Sequence, residues 1–260
     1  MKLFDSNAYA LHQARAQKEF SNHAFLFDHV GNELTNRLQD LKKRFNRALN
    51  LSPHPLPYPS QRHSSLDHPL PFDKESFDLI LSCLQGHWVD DLPAFLKNIY
   101  DCLEGEGLFL GALWGGQTLY ELRESLMQAE LALTGGASPR IAPMLHPADG
   151  PALLGRGGFF MPVVDTDTIT VTYPSLISLM KDLRGMGETN KLYNRSKKFT
   201  SRTLFEKTEE IYYETFPQPN HKISATFEVI FLTGWKQGPL PPDRWKRDSL
   251  QYNKHLRICV

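Results

Sequence analysis

The chain has 260 residues, 41% hydrophobic and 22% charged, a composition that suits one large globular domain with a substantial core. Lys plus Arg equals Asp plus Glu, 29 against 29, so no overall field draws it to nucleic acid or to an anionic membrane, and neither is expected as a partner. No apolar run is long enough to span a bilayer, and the first ten residues read as neither a signal nor a transit peptide, so a bacterial cytoplasmic location is expected, with no membrane insertion.

Residues 7–20 carry Ala8, Ala10, Leu11, Ala14 and Ala16 at helical spacing. Ser21 or Asn22 is placed to cap a second helix bearing Leu26, Phe27, Val30, Leu34, Leu38 and Leu41. Arg47–Leu51 offers a short strand. Beyond it, Pro53, Pro55, Pro57, Pro59, Pro69 and Pro71 remove donors and fix φ, so 52–76 is expected as an extended loop with few places for secondary structure. Its His54, His63, His68 and Asp67 lack the spacing of metal ligands; solvated side chains are expected, and no metal. Cys83, Cys102 and Cys259 are too few and scattered for disulfides or a thiolate metal site, and read as reduced thiols.

The clearest unit runs from Ser76 to Gly116. Phe77–Ser82 is a short apolar run suited to a strand buried on both faces. Leu92, Phe95, Leu96, Ile99, Tyr100 and Leu103 then mark one helical face, with Asp90 or Asp91 as its cap. Gly105 and Gly107 break that helix before a second buried strand at Leu108–Ala112. Such a unit implies parallel strands and a right-handed crossover. Further helices are expected at 118–133, 151–156, 175–184 and 201–213, with strands at 164–173 and 225–233. The tail from Lys236 is basic and Pro-rich.

The run PFDKESFDLILSCLQGHWVDDLPAFLKNIYDCLEGEGLFLGALWGGQTLYELRESL resembles the second half of a class I S-adenosylmethionine methyltransferase domain. LLGRGGF, VDTDTITVTYPSLISLM, DLRGMGETN, FLTGWK and Leu3-Phe4-Asp5 extend the resemblance over nearly the whole chain. They point to the branch of methyltransferase-type complex I assembly factors that act as arginine hydroxylases, and more distantly to the malonyl-acyl-carrier-protein methyltransferases. The resemblance implies a Rossmann-like α/β fold with a mostly parallel sheet. It also implies N-terminal helices over 1–44, a methyltransferase-like domain over 45–234 with helical lid insertions at about 115–148 and 174–221, and a tail over 235–260.

The cofactor half of that pattern is altered. Where the family has an acidic residue and then a Gly-x-Gly-x-Gly turn, this chain reads Leu49-Asn50-Leu51-Ser52-Pro53-His54-Pro55-Leu56, with Ser52, His54 and Leu56 at the glycine positions. Too few residues separate Leu51 from Phe77 for the family's two intervening strands, so the first half is shortened and fewer than seven strands are expected. The strand at Leu49–Leu51 is then expected as an edge, sealed by the N-terminal helices or used by a partner or a second copy.

Carried over by the resemblance, the vestigial cofactor positions are Asn50, Leu51, Ser52, Asp67, Leu84 and His87; the adenine-side acid falls at Leu66, one place from Asp67. The same resemblance and the strand ends place Trp88, Trp114, Tyr120, Arg123, Asn190, Asn194 and Arg195 at a substrate or partner cleft. His87 either faces a ligand or turns the chain, Tyr120 either lines a cleft or packs, and Arg195 either holds an acidic group or is solvated. The expected function is a non-catalytic, partner-binding protein, with no cofactor or with S-adenosylmethionine. The alternative is an active methyltransferase or arginine hydroxylase with a rebuilt cofactor site.

Overall fold

The computed structural model describes residues 2–64, 69–197 and 199–238. Asp67, His68, Cys259 and most of the expected tail lie outside those residues. Among them the sheet has six strands in the order β2-β1-β3-β4-β6-β5. In sequence these are β1 (Ala48–Asn50), β2 (Gln61–Arg62), β3 (Phe77–Cys83), β4 (Leu103–Trp114), β5 (Phe160–Tyr173) and β6 (Ile223–Trp235). The first four in the sheet are mutually parallel, while β6 runs antiparallel to both β4 and β5. This is the expected Rossmann-like α/β fold with a mostly parallel sheet, β6 running against the other described strands, and among the described residues it has fewer than seven strands.

All seven residues of β3 are buried, because both faces of the strand are covered. The period-two alternation sends Leu79 and Leu81 to one side, against Leu26, Val30 and Leu34 of α2 (Phe25–Gln39) and Leu176 and Leu179 of α6 (Leu176–Gly185). Ile80 faces the opposite side with Phe109 and Leu113. There α3 (Leu92–Cys102) supplies Phe95, Leu96 and Ile99, and α5 (Gly150–Gly157) supplies Leu153 and Leu154. Three further α-helices are found among the described residues: α1 (Ser6–Ala16), α4 (Tyr120–Thr134) and α7 (Arg202–Thr215).

Several local expectations are corrected. The strand at 49–51 is not an edge, because Leu49 and Asn50 pair in parallel with Gln61 and Arg62, and the His63 N–H donates to the Asn50 carbonyl at 2.9 Å. The proline-rich segment manages this because none of 60–68 is proline, so donors survive where the ladder needs them. His54 is buried rather than solvated; its ring stacks on Phe20 and meets Phe27 edge-on. Helix α2 starts at Phe25, with Ala24 at its N-cap and no side-chain cap, not at Ser21 or Asn22. Of the two aspartates before α3, Asp91 caps it through the Ala94 N–H, while Asp90 accepts the Leu3 and Phe4 N–H groups at 2.8 Å each. The glycine pair does not separate α3 from a strand at Leu108: β4 begins at Leu103, directly after the helix, and Glu106 takes φ +65° beside Gly107.

Candidate functional site

Ligands of open α/β sheets sit beyond the C-terminal ends of the strands. Here those ends belong to β1, β3 and β4, and the lid loop after α6 folds over them. Gly187 makes the descent possible. At φ +76° it lets the chain turn sharply off α6, with the Glu188 N–H returning to the Leu183 carbonyl at 2.8 Å.

Glu188 is then driven under the strand ends. Its carboxylate accepts from His87 Nε2 at 3.0 Å, from Trp88 Nε1 and Trp114 Nε1 at 3.2 Å, and lies 3.7 Å from Lys191 Nζ. The side chains of Glu188, His87 and Lys191 are 5%, 1% and 0% exposed. Lys191 Nζ also stands 3.8 Å from the centre of the Trp88 ring and 4.8 Å from that of Tyr9, so two aromatic faces share the charge. Burial works to raise the Glu188 carboxyl pKa, but Lys191, His87 and the indole N–H together outweigh it and hold the group ionised. Burial also keeps His87 neutral and lowers Lys191 to about 8 against the pull of Glu188. A carboxylate that accepts three N–H donors, with an ammonium 3.7 Å away, is strongly favoured in its ionised form and is a poor proton acceptor. Chemically, Glu188 is an anchor for the lid rather than a base.

The N-terminus closes the same arrangement. Phe4 bridges Leu192 in antiparallel register, the Asp5 N–H donates to the Lys191 carbonyl at 2.9 Å, and the Tyr193 N–H donates to Leu3 at 2.8 Å. Leu3-Phe4-Asp5 and the lid motif, distant in sequence, are one contact.

Beyond β1 the strand end is filled by the chain itself. Asn50, Leu51 and Ser52 are each 1% exposed and His54 is 9% exposed. The Cys83 N–H donates to Ser52 Oγ at 2.8 Å, and Asn50 Nδ2 donates to the His54 carbonyl at 3.2 Å. Leu84, also buried, takes φ +50°, a left-handed backbone costly for leucine, and its N–H is fixed to the Ala112 carbonyl. Thus Asn50, Leu51, Ser52, Leu84 and His87 gather at the ends of β1 and β3, all buried; Asp67 is outside the described residues. The Ser52 hydroxyl and the His54 imidazole, two of the three positions that the resemblance matches to the family's glycines, are thus packed into the protein at this strand end.

Beyond β4 the space is hollow. A cavity of about 530 Å³ lies between the strand ends and the lid. Trp88, Trp114, Glu188, Asn190 and Arg195 all reach its wall. Asn190 is nevertheless spent on structure, donating to the Pro139 carbonyl and accepting from the Leu192 N–H at 2.9 Å each. Arg195 is neither solvated nor free: its Nη1 donates to Asp5 Oδ2 at 2.9 Å and to the Leu192 carbonyl at 2.8 Å. Arg123 donates to the Gly116 carbonyl, Tyr120 packs edge-on to Phe216, and Asn194 is exposed, so none of these three stands on the cavity wall.

Glu188, Lys191, Tyr9, Arg15 and Arg184 are the residues sequence reasoning missed. One signal was available: Glu188 is the only acid between Gly185 and Phe199, amid Lys191, Arg195, Lys197 and Lys198. No group of His, Cys, Asp or Glu among the described residues is arranged to hold a metal ion, and none of the described helices is long and apolar enough to cross a membrane.

A family model described as a methyltransferase domain matches residues 13–111. The arginine-hydroxylase NDUFAF5, mitochondrial, of Danio rerio is 44% identical over 167 residues, 64% of this chain and 52% of that protein. The chain belongs to the methyltransferase superfamily. The human protein of the same name is also 44% identical over 167 residues, 64% of this chain and 48% of that protein, so the chain is similar to proteins of that name over this stretch. The malonyl-[acyl-carrier protein] O-methyltransferase of Xylella fastidiosa is 36% identical over 176 residues, 67% of this chain and 57% of that one. The chain therefore spans about half the length of the curated relatives it matches. Among solved structures, the YcgJ protein of Bacillus subtilis is 16% identical, with a TM-score of 0.41, over 69% of this chain and 71% of that one.

Proposed function

We propose that this methyltransferase-like chain is a partner-binding scaffold, located in a bacterial cytoplasm, that does not take S-adenosylmethionine in the pose its superfamily implies. In this reading Asn50, Ser52 and His54 do not fit the cofactor: they occupy the turn after β1 where its methionine part would need bare backbone. One observation carries the reading, the Ser52 hydroxyl accepting the Cys83 N–H at 2.8 Å. That bond closes β1 onto β3 at the point where a glycine turn would stand open. The N-terminal residues, the lid loop and the β4 strand end frame the remaining hollow, which is the place for a partner group.

A second reading, an active methyltransferase or arginine hydroxylase, has its own support. The relatives in the NDUFAF5 group carry the name arginine-hydroxylase, and buried Asn50 Oδ1, Gln85 Oε1 and His87 Nδ1 have no hydrogen-bond partner among the described residues. Such atoms suit a polar guest as well as water. Titration calorimetry with S-adenosylmethionine separates the two. The scaffold reading expects no heat of binding at micromolar concentrations; saturable binding that weakens in a Ser52→Leu variant, shown to be folded by circular dichroism, would replace it with the enzymatic one.

A further inference from the structure

The lid cavity carries an unbalanced charge. Among the described residues, Arg15, Arg140, Arg184, Arg195 and Lys197 reach its wall, and Glu188 is the only acid that does. Glu188 is already committed to His87, Trp88, Trp114 and Lys191, so it neutralises none of the five. Arg140 is paired with Glu130, and Arg195 with Asp5. The other three have no acidic partner among the described residues. Arg15 reaches only the Thr189 hydroxyl, at 3.4 Å, and its Nε is buried without an acceptor. Burial and the neighbouring charge of Arg184 both act against its protonated form. Two guanidiniums side by side with no counter-charge repel one another, and an anion between them would relieve both the repulsion and the unmet donor.

Behind this cationic rim the wall is apolar, with Trp114, Leu122, Leu126, Met144 and Phe227. The hollow does not end at the lid. A second depression of about 500 Å³ shares Thr200 and Phe205 with the first, and Leu176 and Ile177 line it with Arg202, Glu206 and Glu209. Since Arg202 pairs with Glu206, and Glu209 accepts the Leu176 N–H, the cationic selectivity lies in the cavity and not in this groove. Ile177 and Phe199 stand exposed along this path. A closed cavity would suit a compact molecule, whereas a cavity that continues into a groove suits an extended chain.

We propose that this cavity and groove receive an acidic segment of a partner protein, with an apolar side chain against Trp114 and Leu126 and carboxylates at Arg15, Arg184 and Lys197. The inference rests on the scaffold reading above and adds the chemistry of what is bound. Charge supplies the selectivity, and the apolar floor supplies the anchor.

The test uses the full chain and an array of short peptides of graded net charge, each with a central leucine or phenylalanine, with octanoate as a small amphiphilic carboxylate. Binding is read by anisotropy of labelled peptide and by tryptophan emission, since Trp88 and Trp114 lie on the wall. Acidic peptides are expected to bind best, to weaken with added salt, and to lose about tenfold in affinity in the Arg184→Gln/Lys197→Gln variant. Both residues are exposed, so that variant is expected to fold, and circular dichroism verifies it. Preference for basic peptides, equal binding by the variant, binding of octanoate alone, or binding of nothing would each overturn the proposal. S-adenosylmethionine binding in calorimetry would overturn the scaffold reading while leaving an acidic-peptide preference standing, so the two failures are distinguishable.

Discussion

Glu188 and Lys191 form a buried ion pair, 3.7 Å apart, in which the ammonium lies against Trp88 and Tyr9 instead of making a hydrogen bond. The pair holds the lid loop to the strand ends, and removing one member leaves the other charged and without water. Glu188→Gln should therefore cost about 3 to 5 kcal/mol. A Glu188→Gln/Lys191→Met double variant should lose less than the sum of the two single changes, because no charge is then stranded. Urea unfolding of all four forms gives the comparison; strict additivity would mean that the pair does not act as a unit.

Acid should weaken the fold well before carboxylates protonate. Burial, aided by Arg15, Lys191 and Arg195, lowers His12 to about 4; burial and Arg62 lower His54 to about 4; and burial lowers His87 as well. Between about 6.5 and about 4 the unfolded chain binds these protons and the folded chain does not, so stability rises with pH across that window and falls as the solution is acidified through it. The urea midpoint at pH 5 should lie below that at pH 7. Equal midpoints would show that these histidines charge without cost.

Ser52→Ala removes the acceptor for a buried N–H, that of Cys83. The expected loss is about 1 to 3 kcal/mol, with Leu51 and Leu84 still packed. Hydrogen exchange should reveal it locally, as faster exchange at the Cys83 amide than at the β4 amides.

Gly187→Ala places a Cβ at φ +76°, 3.2 Å from Gln13 Oε1 and 3.3 Å from the Ala16 Cβ. Strain and crowding together should cost about 1 to 2 kcal/mol, lowering the melting temperature by several degrees. An unchanged melting curve would mean that the lid descends by another route.

Leu49→Ala, at a fully buried position, should cost about 2 to 5 kcal/mol. Gln61→Ala, its exposed partner across the β1–β2 pairing, should stay within about 0.5 kcal/mol. The contrast checks that β2 covers the backbone of β1 rather than adding to the core.

Much of the fold was legible in the residues. The continuous apolar run through Leu79, Ile80 and Leu81, buried on both faces, and the helical stripe of Phe95, Leu96 and Ile99 are local patterns, and each requires only a few adjacent residues to state its preference. The pairing of Gln61–Arg62 with β1 was not legible, because a two-residue polar strand has no pattern of its own and exists only where a backbone edge is offered to it. His54 was misjudged for a related reason: among prolines it reads as loop, and only Phe20 and Phe27, arriving from the N-terminal helices, enclose it.

The sequence by itself determined the strand-helix-strand centre, the proline-rich run that follows Leu51 and the likeness to the methyltransferase superfamily, since all three are written in residues close together along the chain. Only the tertiary structure decided that Glu188 is an anchor, that Leu3–Asp5 and the lid are one contact, and that Arg15, Arg184 and Lys197 face the same hollow with no acidic partner among the described residues. Those facts depend on which side chains meet after α1, α6 and the strand ends have packed. The energies that settle them, burial against Coulomb attraction, exist only once water has been excluded.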